Sequence, residues 1–153
     1  DTPLRAGDVI MLDTGSVKNG YFCDFDRNFA ISHASEDVKN AHRKLVGAVQ
    51  AAARIARPGK PCADLFKAMT DVLGQADGDV GRLGHGLGIQ LTETPSLTSF
   101  DQTVLQENMI LTLEPGIDLG DGKMMVHEEN IVIRDGAPEF LSTPAEPDIP
   151  IIQ

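Results

Sequence analysis

Positive charge is scarce in this chain: 13 Lys and Arg stand against 23 Asp and Glu, a net charge of −10. Nucleic acid and anionic membrane surfaces are bound by cationic patches, so that balance argues against both as partners. Long apolar runs are missing too; none approaches the roughly 20 residues that span a bilayer, and there is no signal-peptide pattern. Cysteine is sparse. Cys23 and Cys62 are far apart and match no ligand or disulfide spacing, so both read as free thiols of a cytoplasmic protein. What is present is ordinary for a globular chain: 153 residues, 41% apolar and 24% charged, suited to one domain with a single core. The plain meaning of so many acids is solubility. The sharper one is that bound cations neutralise some of them.

The stretch Leu12 to Phe29 puts Asp13 and Asp24 inside apolar, β-prone runs. Val9, Ile10, Met11 and Leu12 precede the first, and Tyr21, Phe22, Phe25, Phe29 and Ile31 surround the second. Lys18-Asn19-Gly20 between them is a turn signal. Two strands folded back there bring the acids near one another, and an unpaired buried charge is very costly. The compensation is a cation from the chain or a metal.

Residues 8–14 and 21–32 are expected as strands. Ser35 offers an N-cap ahead of Glu36 and Asp37. Val38, Ala41, Leu45, Val49, Ala52 and Ile55 follow at helical spacing, predicting a helix over 36–57 that Pro58-Gly59 stops. Pro61 suits a first helical position, and Leu65, Phe66, Met69, Val72 and Leu73 carry a second helix to about Gln75. Residues 76–81 are expected as a loop, 94–106 as irregular, 109–113 as a strand, 118–122 as a turn, 124–133 as one strand and 138–141 as a short returning strand. The proline-rich tail is expected to be extended and weakly packed. The order β-β-α-α-β-β-β predicts an α+β fold, an antiparallel sheet with two helices on one face. The opening residues read as a connecting segment, so the chain is expected to be one piece of a longer one.

Three further stretches place polar groups oddly. Gly84-His85-Gly86-Leu87-Gly88 surrounds a histidine with residues that permit close approach. Glu114 ends the hydrophobic strand before Pro115-Gly116. His127-Glu128-Glu129 opens another, and alternation sends the two glutamates to opposite faces, so only one is expected to face inward. Each has an ordinary reading alone: a turn, a strand end entering water, a solvated pair. Together, four carboxylates and an imidazole beside apolar strands make an oxygen-rich site that favours Mn, Fe, Co or Zn over a thiolate zinc site. Four carboxylates balance two divalent ions, and dinuclear sites hold their ions about 3.5–4 Å apart.

These residues resemble the pita-bread metallohydrolases: methionine aminopeptidase, Xaa-Pro aminopeptidase, prolidase and creatinase. Asp13-Thr14-Gly15 matches the family's Asp-x-Gly, and Asp24 its second acid, eleven residues on. His85 matches the histidine of Gly-His-Gly-x-Gly, Glu114 that of Glu-Pro-Gly, and Glu128, not Glu129, the last ligand. The resemblance runs from Arg5 to about Leu141. It implies that Asp13, Asp24, His85, Glu114 and Glu128 hold two divalent ions (Mn, Co, Zn or Fe), that a bridging hydroxide attacks a peptide or amide carbonyl, and that Glu114 acts as general base.

Three departures qualify that implication. The upstream part of the family's catalytic domain is missing, so the chain reads as the C-terminal part of that domain. Its exposed sheet edge is expected to pair two copies as a homodimer, and the fragment alone is expected to bind metal poorly and be inactive. The family's second histidine, seven residues after the ligand, is Thr92 here, which donates a hydrogen bond but carries no charge. The family's Asp-x-Thr-Arg becomes Asp24-Phe25-Asp26-Arg27; alternation puts Asp26 on the face of Asp24, where it adds charge near a metal or pairs with a cation, the structural ion pair being favoured. The expected function is an Xaa-Pro aminopeptidase- or prolidase-like metallopeptidase. The alternatives are a creatinase-like enzyme acting on a small nitrogen-containing molecule, and a pseudoenzyme that kept the fold for contacts.

Overall fold

The computed structural model describes residues 2–75 and 81–153. β1 (Val9–Lys18) and β2 (Tyr21–Ile31) form an antiparallel hairpin. Asn19 and Gly20 between them take φ of 55° and 86°, the two-residue turn whose twist matches that of its strands. The apolar run predicts a strand ending at Thr14; pairing across the turn carries it on to Lys18.

α1 (Glu36–Ile55) starts at Ser35, whose hydroxyl accepts from the Val38 N–H, with Glu36 and Asp37 in its positively polarised first turn. α2 (Cys62–Leu73) follows Pro61, which is the cap and not the first helical residue, and ends at Gly74 in the left-handed conformation. The expected loop at 76–81 lies, Gly81 apart, outside the described residues.

Short strands make up the rest: β3 (Gly84–Gly86), β4 (Glu93–Ser96), β5 (Ile110–Leu113), β6 (Gly116–Gly120), β7 (Lys123–Val126), β8 (Glu129–Val132), β9 (Glu139–Phe140) and β10 (Ile151–Ile152). They form sheets in the orders β1-β2-β10, β4-β3-β5-β8-β9 and β6-β7. Leu45, Val49, Phe66 and Met69 of the helices share one core with Leu111, Leu113 and Ile131 of β5 and β8. Each such side chain, fully buried, contributes about 1.5–3 kcal/mol. The architecture is α+β, as the element order predicts.

Four local expectations are corrected. Glu93–Ser96 is a strand, β4, inside a segment expected to be irregular. Gly116–Gly120 is a strand, β6, where a turn is expected from residue 118. The single strand expected over 124–133 is interrupted at His127 and Glu128: the His127 N–H donates to the Pro115 carbonyl at 3.1 Å, in register with the pairs on either side, but Pro115 has no N–H to return. Glu128 and Glu129 are nevertheless both buried, at 3% and 1% exposure, because both faces of the strand are covered: Arg27, Ser142 and the Ala145 N–H close over the Glu129 carboxylate.

The tail is not weakly packed either. The N–H groups of Ala30 and Ser32 on the outer edge of β2 donate to the carbonyls of Pro150 and Ile152 at 2.9 and 2.7 Å, and β10 runs parallel to β2. Backbone donors at a sheet edge require partners; of the tail's isoleucines Ile149 is buried, while Ile151 and Ile152 stay exposed.

Candidate metal centre

His85 lies on β3, the strand held between β4 and β5, opposite Thr112. Its neighbours are glycine for want of space. A Cβ on Gly84 would lie 2.1 Å from the Thr112 carbonyl oxygen, and one on Gly86 2.5 Å from that of Thr94. Glu114 follows the last residue of β5, its N–H donating to the Leu83 carbonyl at 2.9 Å.

The hairpin belongs to another sheet, and side chains stitch it to the break between β7 and β8. Asn28 Nδ2 donates to the Val126 carbonyl at 2.6 Å, and an Arg27 nitrogen to that of Glu128 at 2.9 Å. Asn130 accepts from the Asp24 N–H at 3.1 Å and donates to the Asp24 carbonyl. Two polar strand segments thus meet without a ladder, and Asp24, His85 and Glu128 converge: one ligand atom from each lies within 4.8 Å of the other two.

His85 is oriented for this. Its Nδ1–H donates to the Gly86 carbonyl at 2.9 Å; a carbonyl only accepts, so the proton sits on Nδ1 and Nε2 presents a lone pair. Nε2 lies 3.8 Å from Asp24 Oδ2 and 3.8 Å from Glu114 Oε2. Buried Glu114 Oε2 has no hydrogen-bond partner; Arg82 Nε approaches it only to 4.0 Å. Asp13 is exposed at the edge of this group, directly across from Asp26 and one side-chain step from Asp24 on the same face. Lone pairs so arranged repel unless a cation lies among them, and an oxygen-rich set with one imidazole fits a hard or borderline divalent ion.

The proton affinities express that repulsion. Burial pushes Glu128 up to about 9, helped by the charges of Asp24, Glu114, Asp26 and Asp13. Burial, then the charge of Asp13, raises Asp24, with His85 and Arg82 opposing. Glu114 is likewise raised by burial against the pull of His85 and Arg82. Asp26, 2% exposed, is pushed up to about 8 by burial and then by Asp13.

Glu129 behaves oppositely. Burial alone would raise it, but the His127 side chain, the Ala145 N–H and Arg27 bring it below its ordinary value. Arg27 donates to Glu129 Oε2 at 2.9 Å, Ser142 to the same oxygen at 2.9 Å and the Ala145 N–H to Oε1 at 2.9 Å. The ion pair favoured for Asp26 is therefore corrected: Arg27 meets Asp26 only at its backbone carbonyl, at 2.7 Å, and spends its charge on Glu129. Sequence reasoning missed the Arg27–Glu129 pair and Asn130, since Arg27 and Glu129 lie 102 positions apart and Asn130 and Asp24 lie 106 apart.

Residues 1–135 match the metallopeptidase family M24. The Xaa-Pro dipeptidase of Pyrococcus furiosus is 27% identical over 150 residues, covering 95% of this chain and 43% of that protein. In structure, the chain superposes on a dipeptidase of Pyrococcus horikoshii with a TM-score of 0.90 and 27% identity, covering 99% of this chain and 43% of the other. It superposes on the X-Pro aminopeptidase of Thermotoga maritima with a TM-score of 0.88 and 29% identity, covering 97% and 43%. The fold is that part of the pita-bread architecture, and the chain spans about two-fifths of the length of these relatives. With residues 1–135 matched out of 153, this chain belongs to metallopeptidase family M24.

Proposed function

We propose that this chain is the metal-holding, C-terminal part of a pita-bread catalytic domain that hydrolyses peptide bonds in Xaa-Pro dipeptidase or Xaa-Pro aminopeptidase fashion. The observation that carries the reading is the convergence of Asp24, His85 and Glu128 within 4.8 Å, with the bare Nε2 of His85 facing two carboxylates. Asp13, Asp24, His85, Glu114 and Glu128 would hold two divalent ions (Mn, Co, Zn or Fe). Bound there, such ions supply an activated water and polarise the scissile carbonyl.

The chain's own groups do the rest. Glu114 lines a cleft of about 470 Å³ together with Arg82, Gly116, Lys123 and Val126, so its carboxylate can meet a substrate. It would act as the general base, taking a proton from the attacking water and returning it to the leaving amine. The Gly86 carbonyl fixes the His85 tautomer, as partners behind metal-binding histidines do. The protein is read as a cytoplasmic homodimer; no helix among the described residues is long and apolar enough to cross a membrane.

Metal analysis after incubation with Mn²⁺, together with hydrolysis of Xaa-Pro dipeptides by the protein carrying this chain, tests the reading. Asp24→Asn is expected to lose bound metal and turnover together; unchanged turnover in that variant overturns it.

One observation favours a second reading on the same scaffold. Thr92, in the place of the family's second histidine, is exposed and lines a separate hollow with Ile89, Gln90, Glu93, Thr94 and Ser96. A site without that imidazole suits a small nitrogen-containing substrate of the creatinase type. Turnover of small amidines or N-acyl amino acids in preference to Xaa-Pro dipeptides would establish it.

A further inference from the structure

Asp26 is a buried acid with which no cation among the described residues forms an ion pair. Arg27, the adjacent residue, directs its guanidinium to the Glu129 carboxylate and to the carbonyls of Glu128 and Thr143, at 2.9, 2.9 and 3.0 Å. Asp26 Oδ1 is buried with no hydrogen-bond partner, in a residue only 2% exposed. A carboxylate in that condition is expensive for a fold, and nothing in the core asks for it.

Its surroundings explain it. Asp26 pairs across the hairpin with Asp13, and Gly15 with Asp24. Two residues apart on one strand, Asp24 and Asp26 point to the same face. The charges of Asp13, Glu114 and Glu129 bear on Asp26 against the pull of Arg27, and its own charge bears on Glu128. The unpartnered oxygen thus lies among the same acids as the five residues proposed to hold metal. The pattern this chain otherwise matches has threonine here, which offers a hydroxyl and no charge.

We propose that Asp26 is an additional anionic oxygen donor to the metal centre on the Asp13 side, strengthening and selecting the ion held there. The inference rests on the metal-site reading above. It makes the site richer in negative oxygen than the five-residue set, which favours oxygen-seeking ions such as Mn²⁺ over Zn²⁺. It also makes the metal-free protein less stable than its threonine counterpart, because the acid is compensated only when the ion is bound.

Titration calorimetry with Mn²⁺ and Zn²⁺, beside thermal melts in chelator, tests it on the protein carrying this chain, as wild type and as Asp26→Asn, Asp26→Thr and Asp24→Asn. Expected for both Asp26 variants is a loss of about 10- to 100-fold in Mn²⁺ affinity, a smaller loss for Zn²⁺, and a metal-free melting temperature at or above that of wild type. The last readout shows that the variants fold and that the loss is not structural. Wild-type Mn²⁺ affinity in both Asp26 variants, with Asp24→Asn impaired, overturns the role of Asp26 and leaves the metal-site reading standing. A wild-type protein that takes up neither ion overturns both.

Discussion

Asn130 holds both backbone polar groups of Asp24. Its Oδ1 accepts the Asp24 N–H at 3.1 Å, and its Nδ2 donates to the Asp24 carbonyl. The amide side chain thereby plays the part of a neighbouring strand and joins the hairpin to the sheet that carries His85. Asn130→Ala removes both bonds and strands two backbone groups, at a cost of about 2–4 kcal/mol. Chemical denaturation should show that loss. Because the Asp24 carboxylate depends on this anchor, bound Mn²⁺ should fall as well; Asn130→Ala with undiminished metal would show that β1 pairing alone positions Asp24.

Arg27 and Glu129 form a largely water-excluded pair, with side-chain exposures of 22% and 1%. Arg27→Met leaves the glutamate with hydrogen bonds but no full cation, and a loss of roughly 3 kcal/mol is expected. Arg27→Met combined with Glu129→Leu should recover part of it, since no charge is then left buried. The recovery is incomplete because the Ala145 N–H, now bonded to Glu129 Oε1, loses its acceptor. Denaturation midpoints of the two single variants and the double one check this; strict additivity would show that the two residues are not coupled.

The acids at the centre and Glu129 pull the pH dependence in opposite directions. Asp26 and Glu128 rise on folding from ordinary values of 3.8 and 4.5 to about 8 and 9. Between those limits the folded chain binds more protons than the unfolded one, so stability falls as pH rises. Glu129 is lowered on folding, so its contribution is present above its unfolded value and is lost as pH falls through the folded one. The metal-free protein should therefore lose melting temperature steadily from about pH 5 toward pH 9. Saturating Mn²⁺ should flatten that decline, since a bound cation replaces the protons. Melts at a series of pH values, with chelator and with Mn²⁺, decide it; a metal-free protein that gains stability from pH 5 to pH 9 contradicts it.

How much of this was legible depends on the range over which each residue acts. The hairpin turn at Asn19-Gly20, the Ser35 cap and the helices rest on neighbours within a few positions, and the sequence states those directly. Asp24, His85 and Glu128 stood out because each interrupts an apolar or glycine-rich run, and the fold brings them within 4.8 Å. Alternation correctly set Asp26 beside Asp24, but it could not say where Arg27 would go, because Glu129 lies 102 positions away. The interruption at His127 was hidden because its partner across the hairpin is Pro115, which has no N–H to complete the pair, while the local pattern from Met124 to Ile133 reads as unbroken. The tail misled through composition, since its prolines suggested loose packing while the open edge of β2 had donors to satisfy.

Gly84 offers a direct test of how His85 is placed. Its φ of +147° is one that side chains rarely adopt, and a Cβ there would meet the Thr112 carbonyl oxygen at 2.1 Å and Leu97 Cδ1 at 2.7 Å. The leucine can turn aside, but the carbonyl belongs to β5, the strand paired with β3. Gly84→Ala must therefore push the two strands apart, at a cost of about 3 kcal/mol or more from strain and lost pairing. The displaced strand carries His85, so metal uptake should fall with stability. Gly136→Ala is the control: nothing lies within 4 Å of its added carbon and its φ is not in the left-handed region, so it should be neutral or stabilising by up to about 1 kcal/mol. Urea denaturation and Mn²⁺ titration of the two variants separate a specific need for close approach at β3 from a general intolerance of lost glycine. Equal behaviour of the two would mean that the histidine strand yields without cost.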